Sequence, residues 1–397
     1  MTHYPYLIVG GGMTADAAAR GIRDLDANAP VGLISAEADP PYSRPPLSKG
    51  LWKDQPLESV WRKTADASVE FHLGRRATTL DLSRKQVVDD RGVEYAFDRL
   101  LLATGGTPRR LPFGGEHVIY FRTLEDYRRL RALADQGKTF AVIGGGFIGS
   151  EIAAALAIRG CRVSMLFPGQ GIGDRIFPED LARFLIAYYV EKGVDVRPGE
   201  QVTSVAESGS RLVVGTKGGA ELIVDSVVAG IGIVPDTDLA RTAGLVVDDG
   251  IVVDEHLRTS HPDVFAAGDV ARFHAPGLDK RIRVEHEDNA LTMGRAAGRA
   301  MAGDPSPYTH LPFFYSDLFD LGYEAVGELD PRGEMVADWK QPFREGVVYY
   351  LSGGRVRGVL LWNTWGQVDA ARALIAENGP FRANDLIGRL PEAKKSG

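Results

Sequence analysis

The chain has 397 residues and only one cysteine, Cys161. No internal disulfide can form, so no cysteine pair can relay electrons through this chain. Cys161 stands in Gly160-Cys161-Arg162-Val163, just before a strand-like run. The expectation there is a small, half-buried filler and not a reactive thiol. Long apolar runs are missing too; none approaches the roughly 20 residues of a membrane span, so no membrane partner is expected. The eight histidines are scattered. Neither a metal-ligand set nor a Ser–His–Asp arrangement has the right spacing, and no metal is expected. An excess of positive charge is also lacking: 46 Lys and Arg face 53 Asp and Glu, for a net charge of −7. That balance argues against nucleic acid as a partner, while leaving room for a local basic patch. The opening Met1-Thr2-His3-Tyr4-Pro5 runs almost directly into a strand and a glycine turn. No signal peptide is expected, and a cytoplasmic location is.

What is present begins with an ordinary globular composition, 44% hydrophobic and 25% charged, which can build real cores. The length favours two or three domains. The strongest signal is a motif that occurs twice. Tyr6-Leu7-Ile8-Val9 reads as a buried strand, Gly10-Gly11-Gly12-Met13-Thr14-Ala15 as a turn, and Ala15 to Arg20 as a helix. The order returns in Phe140-Ala141-Val142-Ile143, Gly144-Gly145-Gly146-Phe147-Ile148-Gly149 and Glu151 to Leu156. Each is the G-x-G-x-x-G/A turn of a dinucleotide-binding βαβ unit. Gly10 and Gly144 allow the tight turn, and Gly12 and Gly146 let a pyrophosphate approach the helix end. Ala15 and Gly149 let helix and strand pack closely. One such turn is weak evidence, whereas two in matching strand–helix context imply two dinucleotide sites.

Such a unit needs an acid about 20 positions on to hold a ribose hydroxyl. The count from the first turn reaches Glu37. From the second it reaches the stretch from Val163 to Gln170, which holds no acid. Further apolar runs end in small-residue turns: Arg99 to Gly105, Asp225 to Pro235 with Gly232 inside it, and Thr259 to Asp269.

Together these segments resemble the FAD-dependent pyridine-nucleotide reductases of the glutathione-reductase-like fold. The branch they are most similar to holds apoptosis-inducing factor and the NADH-dependent reductases of two-iron ferredoxins. The marker is the long string Pro41-Tyr42-Ser43-Arg44-Pro45-Pro46-Leu47-Ser48-Lys49. Leu166-Phe167-Pro168 with Gly171 and Phe177-Pro178-Glu179 is more similar to apoptosis-inducing factor, as are Val284-Glu285-His286, Gly322 to Gly327 and Leu361-Trp362-Asn363. The resemblance implies an α/β fold with two Rossmann-like domains and a small C-terminal α+β domain. It implies FAD on Gly10, Gly12, Ala15, Glu37, Arg44, Lys49 and Asp269, with Glu285 and His286 lining the flavin. It implies NADH, or NADPH, on Gly144, Gly146, Phe147, Ile148 and Gly149, with Gly232 nearby. Lys49 and Glu151 would form the catalytic pair beside the flavin's reactive nitrogen. Read without the motif, Lys49 is an ordinary solvated lysine. Glu151 is explained by the helix dipole alone, and Glu285 and His286 equally suit a structural role.

Three departures stand out. Gly169 stands where the apoptosis-inducing-factor pattern has a ribose-binding Glu, Arg175 where it has a Lys, and Tyr315 replaces the branch's usual Trp. NADH against NADPH therefore stays open. The expected domains are 1–113 with 235–307 for FAD, 114–234 for NAD(P)H, and 308–397 at the C-terminus, ending in a frayed tail at 391–397. The implied reaction passes a hydride from nicotinamide C4 to flavin N5, then electrons to a small iron–sulfur protein. Arg109-Arg110, Lys280-Arg281 and Arg283 are candidates for a basic docking patch. The alternatives are oxygen, quinone or another small acceptor, or an NADH-responsive binding protein with slow turnover. A homodimer is compatible with each.

Overall fold

A computed structural model describes residues 2–390 of the protein; the tail expected at 391–397 lies outside the described residues. The chain divides into two compact units. The first comprises Met1–Arg44, Pro56–Thr107 and Val234–Pro312, and the second Pro45–Gln55, Pro108–Ile233 and Phe313–Gly397. The segment 45–55, which carries Lys49, thus groups with the second glycine turn, where sequence reasoning assigns it to the FAD domain.

In the first unit, strand β1 (Thr2–Val9) runs through the glycine turn into helix α1 (Met13–Arg23) and returns as β2 (Val31–Ser35). β1 pairs in parallel with β2 and with Glu94–Leu102. Their apolar runs are buried on both faces, as a parallel sheet requires. The sheet has seven strands, with Val264–Ala266 pairing in parallel against Glu94–Leu102 and an antiparallel edge of Gln86–Asp89 and Ala77–Asp81.

Helix α1 lies against helix Glu287–Met301 at backbone distance. A Cβ on Gly294 would meet Thr14 O at 2.5 Å, and one on Gly298 would meet Ala18 O at 2.0 Å. The side chain of Asp16, in the first turn of α1, is fully buried. It accepts from Arg62 Nε at 2.7 Å, Thr64 Oγ1 at 2.8 Å and Arg20 Nε at 3.2 Å. Its charge is satisfied by these donors and favoured by the helix N-terminus.

In the second unit, β3 (Thr139–Ile143), α2 (Phe147–Ile158) and β4 (Arg162–Phe167) repeat the pattern. They belong to an all-parallel five-stranded sheet in the order Val194–Pro198, β4, β3, Ser226–Ala229, Val118–Tyr120. A three-stranded antiparallel meander, Val202–Ser208, Arg211–Thr216 and Glu221–Val224, precedes the strand Ser226–Ala229 and packs into the same core. From Phe313 the chain forms a five-stranded antiparallel sheet, covered by helix Val368–Ala376 through Ala371, Leu374 and Ile375.

Candidate functional site

The first glycine turn separates two physical tasks. Gly10 has φ +130°, and a Cβ there would meet Ala103 O at 2.1 Å, so the turn itself demands glycine. A Cβ on Gly12 would meet nothing within 4 Å. Gly12 is also the N-cap of α1, and no side chain caps that helix. The first amides of α1 thus have no side-chain acceptor, and this open helix end fits a dinucleotide phosphate. Ala15 is fully buried in the first turn of the same helix.

Glu37 lies two residues beyond the end of β2. Its carboxylate accepts from Tyr42 Oη at 2.6 Å and pairs with Arg44, whose Nη1 donates to Tyr42 Oη at 2.9 Å. Burial opposes the charge on Arg44, but Tyr42, Glu37 and Asp269 together outweigh it and raise its pKa. Asp269 follows Gly268 in a short 3-10 turn, and its carbonyl accepts from Arg283 at 3.2 Å. Arg283 also holds Glu285 at 2.5 Å, and His286 is the N-cap residue of helix Glu287–Met301. Arg283, a candidate docking cation, is therefore an internal strut with only a tenth of its side chain exposed. Arg281 is likewise engaged, on Val253 O at 2.8 Å. Glu37 and Arg44 are thus brought together, with Tyr42 as a partner that sequence reasoning passed over although it stands inside the marker string.

The second turn repeats this division. Gly144 has φ +122°, and a Cβ there would meet Gly230 O at 2.3 Å, whereas one on Gly146 would meet nothing within 4 Å. A Cβ on Gly149 would meet Gly144 O at 2.1 Å. Gly146 is the N-cap of α2, again without a side-chain cap. Phe147 and Ile148, which follow it, stay more than a third exposed although they are large and apolar. Gly232 has φ +92° and accepts from Arg109 N at 2.9 Å. Gly230, whose Cβ would meet Gly149 N at 2.6 Å, escaped the sequence reading.

Lys49 stands between the 3-10 turns Pro45–Ser48 and Gly50–Lys53. Trp52 anchors this segment by donating Nε1 to Leu47 O at 2.6 Å and by an edge contact with Tyr127. Lys49 Nζ then reaches Glu151 Oε1 on α2 at 2.7 Å, with side-chain exposures of 12% and 3%. The same carboxylate accepts from Ser48 Oγ at 2.5 Å and Ser316 Oγ at 2.6 Å. Lys49 Nζ also lies 5.3 Å from the centre of the Tyr315 ring, a cation–π distance. Burial, and then the Glu151 charge, push the hydroxyls of Tyr189 and Tyr323 well above the usual phenol range. Ser48 and Ser316 give a buried charge the donors it needs, and neither was singled out from the sequence.

Cys161 is buried, 3.7 Å from Ala134 O, and burial raises its thiol pKa. Among the described residues no cluster of metal-ligating side chains occurs, and no helix is long and apolar enough to cross a membrane.

Two glycine turns with uncapped helix ends, each following a strand with parallel neighbours, define a class of oxidoreductase built around two dinucleotides. Residues 4–294 match the pyridine nucleotide-disulphide oxidoreductase family, and the chain belongs to that family. Its cofactors are FAD and a nicotinamide dinucleotide, NADH or NADPH. It is 35% identical over 389 residues to the ferredoxin–NAD(+) reductase component of the anthranilate 1,2-dioxygenase system of Burkholderia cepacia, covering 95% of each chain. It is 32% identical over 416 residues to apoptosis-inducing factor 1 of Dictyostelium discoideum, covering 94% of this chain and 78% of that one. The fold is similar to putidaredoxin reductase in its covalent complex with putidaredoxin, with TM-score 0.89, 32% identity, and 97% and 95% coverage.

Proposed function

We propose that this protein is an NADH-dependent flavoprotein reductase whose electron acceptor is a small two-iron ferredoxin. The carrying observation is the buried Lys49–Glu151 pair, whose carboxylate stands in the second turn of the helix that follows the second glycine turn. Bound FAD supplies the hydride acceptor and the electron store. The residues of each unit supply orientation and fixed charge. Gly12 and Gly146 expose helix amides to the two pyrophosphates. Glu37 offers carboxylate oxygens to the flavin dinucleotide's ribose, with Tyr42 and Arg44 holding it in place. Phe147 and Ile148 offer an apolar surface to the nicotinamide dinucleotide. Lys49 holds a positive charge where negative charge develops during reduction, and Glu151 with its two serines fixes that ammonium in place. Asp269, Glu285 and His286 complete the flavin-side lining in this reading.

The single cysteine supports an external acceptor. Cys161 is buried and without a cysteine partner in the chain, so no thiol pair can carry the electrons onward. The named roles of ferredoxin reductase relatives point to a ferredoxin. A cytoplasmic setting belongs to the same proposal.

Anaerobic rapid mixing of purified protein with NADH tests the first step by bleaching of the flavin band. A two-iron ferredoxin, then air, tests the second. Fast reoxidation by ferredoxin supports the reductase. Reoxidation no faster than in air, with a change of oligomeric state by light scattering, would transfer the protein to the slow-turnover, NADH-responsive class. Protein that binds no flavin would sink the reading altogether.

A further inference from the structure

The two βαβ units agree at the three glycines of their turns. Gly11 faces the side chain of Ser35, the last residue of β2, and Gly145 faces the ring of Phe167, the last residue of β4. Two residues beyond each strand end stand Glu37 in one unit and Gly169 in the other. That position is where an acid reads the ribose hydroxyls of a bound dinucleotide. The second unit lacks the acid in its chain position, yet a carboxylate is there. A Cβ built on Gly169 would meet Asp174 Oδ2 at 2.1 Å, so the Asp174 side chain fills the space that a side chain at 169 would enter.

The loop that delivers Asp174 is tied to the glycine turn itself. Gly173 N donates to Gly145 O at 2.8 Å, and Gly173 O accepts from Ile176 N and Phe177 N at 2.9 Å each. Asp174 Oδ2 accepts from Gln170 N at 3.1 Å, which fixes the carboxylate beside residue 169. Gly199 N holds Gly169 O from the far side at 2.8 Å. Asp174 keeps an exposed side chain, with lone pairs left for a ligand.

We propose that Asp174 is the ribose-reading acid of the NADH site, replacing the missing side chain at 169 from the following loop. This assignment rests on the functional reading above, and it goes further by naming what sets nucleotide choice. A carboxylate here accepts from the adenosine ribose 2′-hydroxyl and repels a 2′-phosphate. The neighbouring Arg175 is exposed and is the group a 2′-phosphate would call on, so the balance of the two residues sets the preference.

The test is calorimetric binding of NAD+ and NADP+ to the flavin-loaded protein, alongside KM for NADH and NADPH. Asp174→Asn keeps an oxygen for the Gln170 amide and removes the charge. It is expected to weaken NAD+ on the order of tenfold, the range of a hydrogen bond to a charged group, while NADP+ is held or gains. Asp174→Ala combined with Gly169→Glu returns the carboxylate to the ordinary position and is expected to recover the preference for NAD+. A preference unchanged in Asp174→Asn overturns the assignment, as does equal weakening of both nucleotides, which marks a loop prop only. Wild type that prefers NADP+ overturns it too, and changes the electron donor of the functional reading from NADH to NADPH while flavin reduction and the ferredoxin step still stand. Wild type that binds neither nucleotide brings down the functional reading and this assignment together.

Discussion

Lys49 Nζ and Glu151 Oε1 lie 2.7 Å apart across 102 positions of chain, with almost no solvent at the carboxylate. Exposed ion pairs contribute little, but a buried one becomes costly when a single partner is removed. Glu151→Ala is expected to destabilise the protein by about 3–5 kcal/mol. Glu151→Gln keeps the shape and is the better functional probe. It and Lys49→Ala are expected to slow anaerobic flavin reduction by NADH roughly a hundredfold, read as the bleaching rate in rapid mixing.

Ser316 gives the same carboxylate a second anchor, from a strand 165 positions away. Ser316→Ala leaves a buried anionic acceptor short of one donor, at a cost of about 1.5–3 kcal/mol. The urea midpoint should fall accordingly. An unchanged midpoint would mean that this hydroxyl does not hold the carboxylate.

The glycine turns offer a separation of folding from binding. Gly12→Ala adds a methyl that meets no protein atom within 4 Å, so melting of the flavin-free protein should be unchanged while FAD affinity falls. Gly10→Ala adds one at 2.1 Å from Ala103 O on a φ of +130°, so folding itself should suffer. Melting curves with and without FAD distinguish the two. Equal loss of melting temperature in both variants would contradict the division of labour.

Cys161 is buried with a raised thiol pKa, so a thiol reagent should modify it only on unfolding. Cys161→Ala should retain NADH turnover with ferredoxin. Loss of turnover in a folded variant would reopen thiol chemistry.

Acid stability should depend on Asp89. Burial pushes its pKa up, but bonds from Val93 N, Tyr95 Oη, Arg91 N and Arg75 outweigh that and lower it from 3.8 to about 2. A carboxylate with a depressed folded pKa contributes stability above its unfolded pKa and loses it as pH falls through the folded one. Wild type should therefore exceed Asp89→Asn in stability at neutral pH. The gap should close between about pH 4 and about pH 2 in denaturant titrations.

Much of this was readable in the residues because a strand, a glycine turn and a helix are local events. Both turns, the strands they follow and Glu37 are governed by a few adjacent residues. What escaped depends on contacts between distant parts of the chain. Ser316 meets Glu151 from a strand 165 positions further along the chain, and Gly230 matters only because Gly149 N stands beside it. Asp174 was hidden for a different reason. Counting from the turn assumes the acid belongs to the strand end, and here a loop folded back by the Gly173–Gly145 bond brings it instead. Segment 45–55 left its expected domain because Leu47, Leu51 and Trp52 bury themselves in the second unit, which periodicity in so short a stretch cannot announce.

The close seating of α1 on helix Glu287–Met301 has a kinetic side. Thr14 and Ala18 touch the other helix where Gly294 and Gly298 leave no room for a side chain, so the phosphate-facing end of α1 is positioned by its neighbour. A loading dinucleotide therefore meets a docking edge that is already rigid and has little backbone entropy left to surrender. Capture of the cofactor by newly made chain should then be governed by diffusion into the turn, with no slow ordering step after contact.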